Sequence, residues 1–256
     1  MLGPLVLTRG DKSVVIRASK AGLVLALLLA RDQERVSVDD LVDELWGDHP
    51  PRSALTTLQT HVYHLRRMLA NELDVPHPEQ MLVTSPPGYF FATDGLELDV
   101  AKFSRLVEQG REFLHVGAYE QAHTTLVQAE ALWQGPAFAG IPTGTALQGH
   151  VAYLHELRLG AVELCIRAQR RMSRHAQLIP QLRSLVAQHP LHEGFHAQLI
   201  DALSSCGRRA EALAAYRSLW RILDTELGVE PAPDVQRLHQ QVLAGGHGCL
   251  TDALAS

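Results

Sequence analysis

The chain has 256 residues, of which 46% are hydrophobic and 20% are charged, and its formal net charge is −5 at pH 7. These values are typical of a globular protein with one large or two ordinary domains, and they argue against a strongly basic, nonspecific nucleic-acid binder. Because no basic leader is present and the longest apolar run, Leu23–Ala30, is too short to span a bilayer, we expect a cytoplasmic protein without a membrane partner.

The first elements in chain order are a hairpin and two helices. Two β-branched runs, 3–8 and 13–17, flank a short turn and predict the hairpin. The nearly continuous apolar stretch 19–32 predicts a central helix. Ser37 and Asp40 have the spacing of a capping box, which predicts the start of a second helix that ends at a glycine and two prolines.

The next segment, 52–71, has the pattern of an amphipathic helix. Its apolar positions predict one buried stripe: Leu55, Leu58, Val62, Leu65 and Leu69. The opposite side carries polar and basic groups: Thr56, Thr57, Thr60, Tyr63, His64 and Arg67, with Gln59, His61 and Arg66 at its margins. No acidic residue occurs in this segment, so the helix suits a DNA major groove, although an ordinary surface helix can have the same pattern.

A second hairpin is predicted after this helix. The apolar runs 81–84 and 89–92 flank the turn Ser85–Gly88, in which proline restricts φ and glycine permits positive φ. A hairpin that directly follows a candidate recognition helix is a wing. The order of strands, three helices and a hairpin therefore predicts a winged helix-turn-helix DNA-binding domain over residues 1–97.

Helical periodicity dominates the remaining chain, which predicts a second, all-α domain over residues 98–244. Similar sequences begin at Gly117, Ser173 and Gly207, and the last two have a spacing of 34 residues, the period of a tetratricopeptide helix pair. The predicted fold class is therefore mainly α, with a tetratricopeptide-like helical repeat after the winged helix; an undifferentiated helical bundle is the alternative. Further predictions are an inserted loop over 134–149, a closing helix over 234–243 and a flexible tail over 245–256.

One string resembles an enzyme motif. His192–His196 fits the H-E-x-x-H zinc motif, but it begins two residues after Pro190 and contains a glycine, and the chain has 14 histidines. A chance match is the favoured interpretation. We find no phosphate-binding loop, dinucleotide motif or cysteine pairing, so the chain is predicted not to be an enzyme, with no catalytic residues, metal or cofactor.

Several motifs together resemble the Streptomyces antibiotic regulatory protein family. In the first half these are Leu45–Gly47, Pro50–Pro51, Leu58–Val62, Leu65–Arg67 and Pro86–Tyr89, similar to an OmpR/PhoB-type winged helix. In the second half they are Leu98–Asp99 with Phe103, Ala131–Pro136, His189–Leu191, Gly207–Tyr216 and Glu226–Pro231, similar to a bacterial transcriptional activator domain. The motifs occur in the family's order over roughly residues 3–244.

The resemblance implies an activator of a secondary-metabolite (antibiotic) gene cluster. Such a protein binds double-stranded promoter DNA at direct repeats near the −35 element, as a homodimer, and recruits RNA polymerase through its sigma factor and alpha subunit. By resemblance, the base-contacting residues are Gln59, Thr60, His61 and His64. The phosphate-contacting residues are Arg52, Thr56, Thr57, Tyr63, Arg66, Arg67, Trp46, Ser85 and Tyr89.

Some of these roles have structural alternatives. Trp46 and Tyr89 are equally compatible with the core, and Arg66 lies close to the predicted buried stripe. Ser85 occupies a wing position at which the family often has arginine, so we expect modest DNA affinity. The alternative function is a protein-binding helical-repeat adaptor with weak or vestigial DNA binding.

Overall fold

The computed structural model describes residues 1–245. These residues form two compact units, Met1–Cys165 and a second unit that begins at Ile166. Of the predicted tail, 245–256, all but Gly245 lies outside the described residues. The chain is mainly helical, as predicted. These units are compact bodies rather than the predicted domains, whose boundary at residue 97 stays a prediction, and the first unit includes contacts of the N-terminal segment.

That segment hydrogen-bonds to a stretch far along the sequence. The Gln134 N–H donates to the Leu2 carbonyl at 2.8 Å, and the Ala139 N–H donates to the Gly3 carbonyl at 3.0 Å. The Leu2 N–H donates to the Asp99 carboxylate at 2.8 Å. Two of these bonds connect the first residues to the region predicted to be an inserted loop, and the third connects them to Asp99.

The elements of the winged helix follow the predicted order. The helices are α1 (Lys20–Ala30), α2 (Val38–Trp46), α3 (Ala54–Leu73) and the short α4 (Pro78–Met81); the strands are β1 (Val6–Arg9), β2 (Lys12–Val15), β3 (Val36–Ser37), β4 (Leu82–Ser85) and β5 (Gly88–Phe91). The predicted capping box of α2 is confirmed: the Asp40 N–H donates to the Ser37 hydroxyl at 3.0 Å, and the Ser37 N–H donates to the Asp40 carboxylate at 3.4 Å.

Two antiparallel sheets accompany these helices. One is the predicted hairpin of β1 and β2, and the other has the strand order β3-β5-β4. The two-residue strand β3 was not predicted, because it is too short for an alternating pattern and is recognisable only by its pairing of Val36 with Tyr89. Through β3, the chain enters α2 directly from the sheet that forms the wing.

The remaining helices are α5 (Asp99–His115), α6 (Tyr119–Glu130), α7 (Thr145–Arg171), α8 (His175–Gln188), α9 (Glu193–Ser205), α10 (Arg209–Leu227) and α11 (Pro233–Leu243). The three similar sequences correspond to one type of turn. Gly117, Ser173 and Gly207 each have a positive φ and each lies two residues before a helix, α6, α8 or α10. A left-handed residue ends one helix and redirects the chain into the next, which accounts for the recurring small residues.

Candidate nucleic-acid interface

The buried side of α3 holds this helix against the core of the first unit. Leu58, Val62, Leu65 and Leu69 are buried, as predicted, and the core also contains nearly all of α1. The prediction for Leu55 was wrong, because its side chain is 52% exposed. Leu55 lies in the first turn of the helix, and none of the elements within residues 1–245 buries it. The buried stripe begins instead at Ala54.

The opposite side of α3 is available to a partner. The predicted site residues on and just before this helix with exposed side chains are Arg52, Thr56, Gln59, Thr60, Tyr63, His64 and Arg67. Thr57, His61 and Arg66 are half-buried at its margins. The structure thus brings one hydroxyl-, amide-, imidazole- and guanidinium-bearing surface together on a single rigid helix, here called the α3 polar face. Groups of these types bind both phosphates and base edges.

Two contacts restrict the chemistry of this face. The Thr60 hydroxyl donates to the Thr56 carbonyl at 2.9 Å, so toward a ligand it offers acceptor lone pairs and a methyl group. The Tyr63 and His64 rings meet edge to face, with their centroids 5.7 Å apart. This contact orients two of the largest side chains on the face.

His61 is the least solvated of the predicted base-contacting residues. Its Nε2 atom is buried and has no hydrogen-bond partner within the described chain. Burial lowers the pKa of His61, and the neighbouring Lys20 and His64 side chains lower it further. The ring is therefore neutral near pH 7 and carries one N–H donor and one acceptor rather than a positive charge.

Arg66 connects the helix to the wing. Its Nε and Nη2 atoms donate to the Leu82 carbonyl at 3.0 and 2.6 Å, and Nη2 also donates to the Thr84 hydroxyl at 2.8 Å. These bonds hold β4 at a defined distance from α3. Arg66 lies at the margin of the buried stripe, as predicted, and its guanidinium bonds to β4. These bonds position the wing relative to α3.

Replacing Arg66 with alanine is expected to lower the free energy of unfolding by about 1–2 kcal/mol, because the Leu82 carbonyl loses a charged, forked donor. Lysine should not restore the loss, since an ammonium cannot reproduce the fork. Urea denaturation of both variants measures the change. Arg67→Ala is the matched control and should leave stability unchanged; equal destabilisation by both alanine variants would contradict the assigned role of Arg66.

The three remaining predicted phosphate contacts lie beside or within the wing and its core. Tyr89 is 7% exposed, and Trp46 is half-buried against the same core. A place in the core is the alternative role that the sequence left open for both residues. Ser85 is half-buried and pairs with Gly88 across the wing turn, which contains a cis peptide bond between Pro86 and Pro87.

The structure adds two cations that sequence reasoning missed. Lys20 Nζ lies 4.3 Å from the centroid of the Trp46 ring and donates to the Leu45 carbonyl at 3.1 Å. Arg35 donates from Nη1 to the Pro86 carbonyl at 3.1 Å and thereby brings a guanidinium to the wing turn. Neither residue belongs to a recognisable motif, and only their tertiary neighbours reveal them.

Glu44, in the same unit, is another residue to which no sequence motif pointed. This carboxylate is 7% exposed and accepts three backbone hydrogen bonds, from Gly144 at 2.9 Å, Ala146 at 2.8 Å and Leu147 at 3.1 Å. The three N–H groups lie at the start of α7, where backbone donors lack intrahelical partners and attract negative charge. Helix α2 therefore caps a helix that follows it by about a hundred residues.

The zinc-like string has ordinary structural contacts. His192 precedes α9 and its Nδ1 accepts the Phe195 N–H at 3.3 Å. Glu193 accepts the Ala232 N–H at 2.6 Å, and His196 Nε2 lies 3.0 Å from the Pro190 carbonyl. The three side chains contact different backbone groups. Across residues 1–245, no group of three or more histidine, cysteine or acidic side chains is placed to hold a metal ion.

None of the helices within residues 1–245 is long and apolar enough to cross a membrane.

Comparison with protein families identifies both halves of the chain. Residues 12–91 match the family described as transcriptional regulatory protein, C terminal, and residues 98–243 match the bacterial transcriptional activator domain. The first match covers α3 and the wing. The second begins immediately before α5 and ends with α11.

Similar proteins cover nearly the whole chain. Regulatory protein DnrI of Streptomyces peucetius is 39% identical over 97% of this chain and 92% of its own length. Transcriptional regulator RedD of Streptomyces coelicolor is 37% identical over 95% of this chain and 69% of its own length. The structure of Mycobacterium tuberculosis EmbR in complex with a low-affinity phosphopeptide has a TM-score of 0.86 and 28% identity, and the match covers 96% of this chain but 64% of EmbR. The chain belongs to the Streptomyces antibiotic regulatory protein family of transcriptional regulators.

Proposed function

We propose that this protein is a sequence-specific DNA-binding activator of transcription that controls a secondary-metabolite gene cluster. The observation that carries the proposal is the α3 polar face: a rigid helix next to a wing, with exposed donors and acceptors and no acidic side chain from Arg52 to Asn71. A face of this kind can approach phosphates without repulsion and read base edges in the major groove. Family members are transcriptional regulators, and we propose no catalytic activity.

The roles of the site residues follow from their positions. Gln59, Thr60, His61 and His64 are proposed to contact bases. Exposed Arg52, Thr56, Tyr63 and Arg67, with half-buried Thr57, are proposed to contact phosphates, with Lys20 and Arg35 as additional cations. Trp46 would contribute by positioning the end of α2. The wing residues Ser85 and Tyr89 would contribute by positioning the wing, and Arg66 through the bonds that hold β4.

The charge distribution sets the expected strength of binding. Four cations accompany the proposed surface, namely Arg52, Arg67, Lys20 and Arg35, in a protein with a net charge of −5. If each neutralises one phosphate, the logarithm of the binding constant should fall with the logarithm of salt concentration with a slope of about −4 per protomer. We therefore propose that tandem binding to direct repeats as a homodimer, and contacts with RNA polymerase sigma factor and alpha subunit, supplement the affinity of one protomer.

Substitutions on the α3 polar face should separate affinity from base selection. Arg67→Ala is expected to weaken binding to all DNA sequences and to reduce the salt slope by about 1, because it removes a phosphate contact. His64→Ala or Thr60→Ala is expected to cost about 1–3 kcal/mol on the preferred site and little on unrelated DNA, because each removes a base contact. Fluorescence anisotropy over a salt series, on a promoter fragment defined by footprinting and on scrambled DNA, measures both effects.

Arg111→Ala, an exposed arginine on α5, is the control and should change neither quantity. If Arg67, His64 and Thr60 variants behaved alike on both DNAs, the proposed division between phosphate and base contacts would be wrong. In vitro transcription with purified RNA polymerase tests the activator role directly: the expected result is stimulation that requires the footprinted repeats.

A second function has support from two observations. The net negative charge and Ser85 in the wing both favour a protein-binding adaptor with weak DNA binding. An electrophoretic shift titration at low salt distinguishes the two functions. Saturable, sequence-dependent binding supports the activator, whereas its absence would favour the adaptor.

A further inference from the structure

A groove lies between the last two helices of the second unit. It has a volume of about 530 Å³, and its lining includes Leu213, Trp220 and Leu243 together with two arginines. We call it the α10–α11 groove. None of its lining residues belongs to the first unit, and none of the sequence motifs pointed to it as a binding surface.

The walls of the groove are set by helical spacing and by a ring stack. Arg217 and Arg221 are one turn apart on α10, and Tyr216 lies beside them. The Tyr216 ring stacks on His239 of α11, with centroids 3.8 Å apart and planes within 2°. This stack joins the two helices and gives the groove a firm aromatic wall.

The groove combines exposed apolar surface with positive charge. Trp220 is 44% exposed and Leu243 is 49% exposed, both high for large apolar side chains. Burial and the nearby Arg217 guanidinium lower the pKa of His239, so the positive charge comes from the two arginines. No acidic residue is among those that line the groove within residues 1–245.

The two arginines differ from others in the same unit. Arg183 and Arg208 both pair with Glu211, and Arg237 pairs with Asp234. In contrast, Arg217 and Arg221 have no ion pair within the part of the chain that the structure describes, although Asp224 is one turn from Arg221. Two exposed, unpaired guanidinium groups beside an exposed indole have the composition of an interface hot spot.

We propose that the α10–α11 groove binds an acidic, amphipathic segment of another protein. Carboxylates of the partner form forked hydrogen bonds with Arg217 and Arg221, and an apolar partner side chain packs against Trp220 between Leu213 and Leu243. The charge of the groove selects an acidic partner in preference to a basic one. A DNA backbone matches the arginines but leaves the apolar part of the groove unfilled, so we favour a protein segment.

Fluorescently labelled synthetic peptides test this proposal on the full chain. One peptide, about four helical turns long, places leucines and a phenylalanine on one face and glutamates elsewhere; a second replaces every glutamate with lysine. A third carries the glutamates with glycine in place of the apolar residues, and a fourth has the sequence of residues 246–256. Fluorescence anisotropy should show binding of the first peptide at least about tenfold tighter than binding of the others.

Variants locate the binding site. The double substitution R217Q/R221Q and the single substitution Trp220→Ala should each weaken binding of the acidic amphipathic peptide at least about tenfold. All three positions are exposed, and unchanged thermal unfolding would confirm that the variants fold. Arg67→Gln on the α3 polar face is the matched control, with peptide binding unchanged and DNA binding weakened.

Several results would overturn the proposal. These are no binding of the acidic amphipathic peptide, equal binding of the lysine peptide, or binding that is unaffected by R217Q/R221Q. Equal, arginine-dependent binding of the 246–256 peptide would assign the groove to the chain's own segment. Competition by duplex DNA that survives Arg67→Gln but not R217Q/R221Q would assign it to nucleic acid. Because the peptide assay contains no DNA in its other arms, its outcome is independent of the proposed activator function.

Discussion

Glu44→Ala is expected to lower the free energy of unfolding of the first unit by about 3 kcal/mol. Loss of an ordinary N-cap costs about 0.5–2 kcal/mol, and here one carboxylate satisfies three backbone donors rather than one. Glu44 is 7% exposed and its bond to the Leu147 N–H is buried, so water does not fully replace the lost hydrogen bonds. Urea or guanidinium denaturation followed by far-ultraviolet circular dichroism measures the change.

Glu44→Gln sharpens this experiment. The amide keeps the size of the side chain but has one acceptor oxygen and no charge, so about half of the loss should remain. Asp43→Ala, an exposed change on the same helix, is the control and should stay within about 0.5 kcal/mol of the parent. A Glu44→Ala variant as stable as Asp43→Ala would show that the cap of α7 contributes nothing.

The capping contact should also affect the proposed DNA binding. Gly144 accommodates the carboxylate so closely that an added Cβ would lie 2.6 Å from both Cδ and the carbonyl oxygen of Glu44. Helix α2, which precedes the α3 polar face, is thereby held against the start of α7. We expect Glu44→Ala to weaken DNA binding as well, since α2 and α3 lose one of their supports.

Gly88→Ala is expected to have the second large effect, a loss of about 3 kcal/mol with disruption of the wing. A Cβ at this position would lie 1.9 Å from the Val36 carbonyl oxygen and 2.9 Å from Ser37 Cα, both backbone atoms that cannot rotate away. The ladder between β3 and β5 would have to separate, and overpacking of this kind costs about 1–3 kcal/mol or more. Because Ser37 caps α2, the displacement would extend to the start of that helix.

Denaturation and limited proteolysis together test this prediction. The variant should lose stability and become sensitive to cleavage in the segment 82–91. Gly149→Ala, on α7, is the control. Apart from the backbone of its own helix, a Cβ at this position would meet no atom within 4 Å, and alanine favours a helix, so stability should stay equal or rise by up to about 1 kcal/mol. Native stability in Gly88→Ala would contradict a steric requirement for glycine where β3 approaches β5.

Much of the winged helix could be predicted because its signals are local. The apolar spacing of Leu58, Val62 and Leu65 places the buried side of α3, and the Ser37 capping box marks the start of α2. The turn from Ser85 to Gly88 likewise lies between two runs that pair with each other. Interactions that span a few residues leave a pattern in the sequence, and these elements formed within a few residues of their predicted bounds.

The errors and omissions share a different physical cause. Leu55 matched the apolar stripe, but whether a first-turn residue is covered depends on which element lies next to it. The short strand β3 requires a partner that follows it by about fifty residues. The hydrogen bonds from the first residues to the segment around Gln134 are likewise contacts that no spacing rule foretells.

The α3 polar face shows what the sequence determines and what the tertiary structure determines. The amino-acid sequence by itself determined which helix is amphipathic, that its outward side lacks acids, and the family to which the chain belongs, because periodicity, charge and motif order are properties of the chain. Only the tertiary structure decided that Arg66 bonds to the wing, that Lys20 lies over Trp46 and Arg35 bonds to the wing turn, and that Glu44 caps α7. Those roles depend on distances between residues remote in sequence, and such distances exist only once the core has packed.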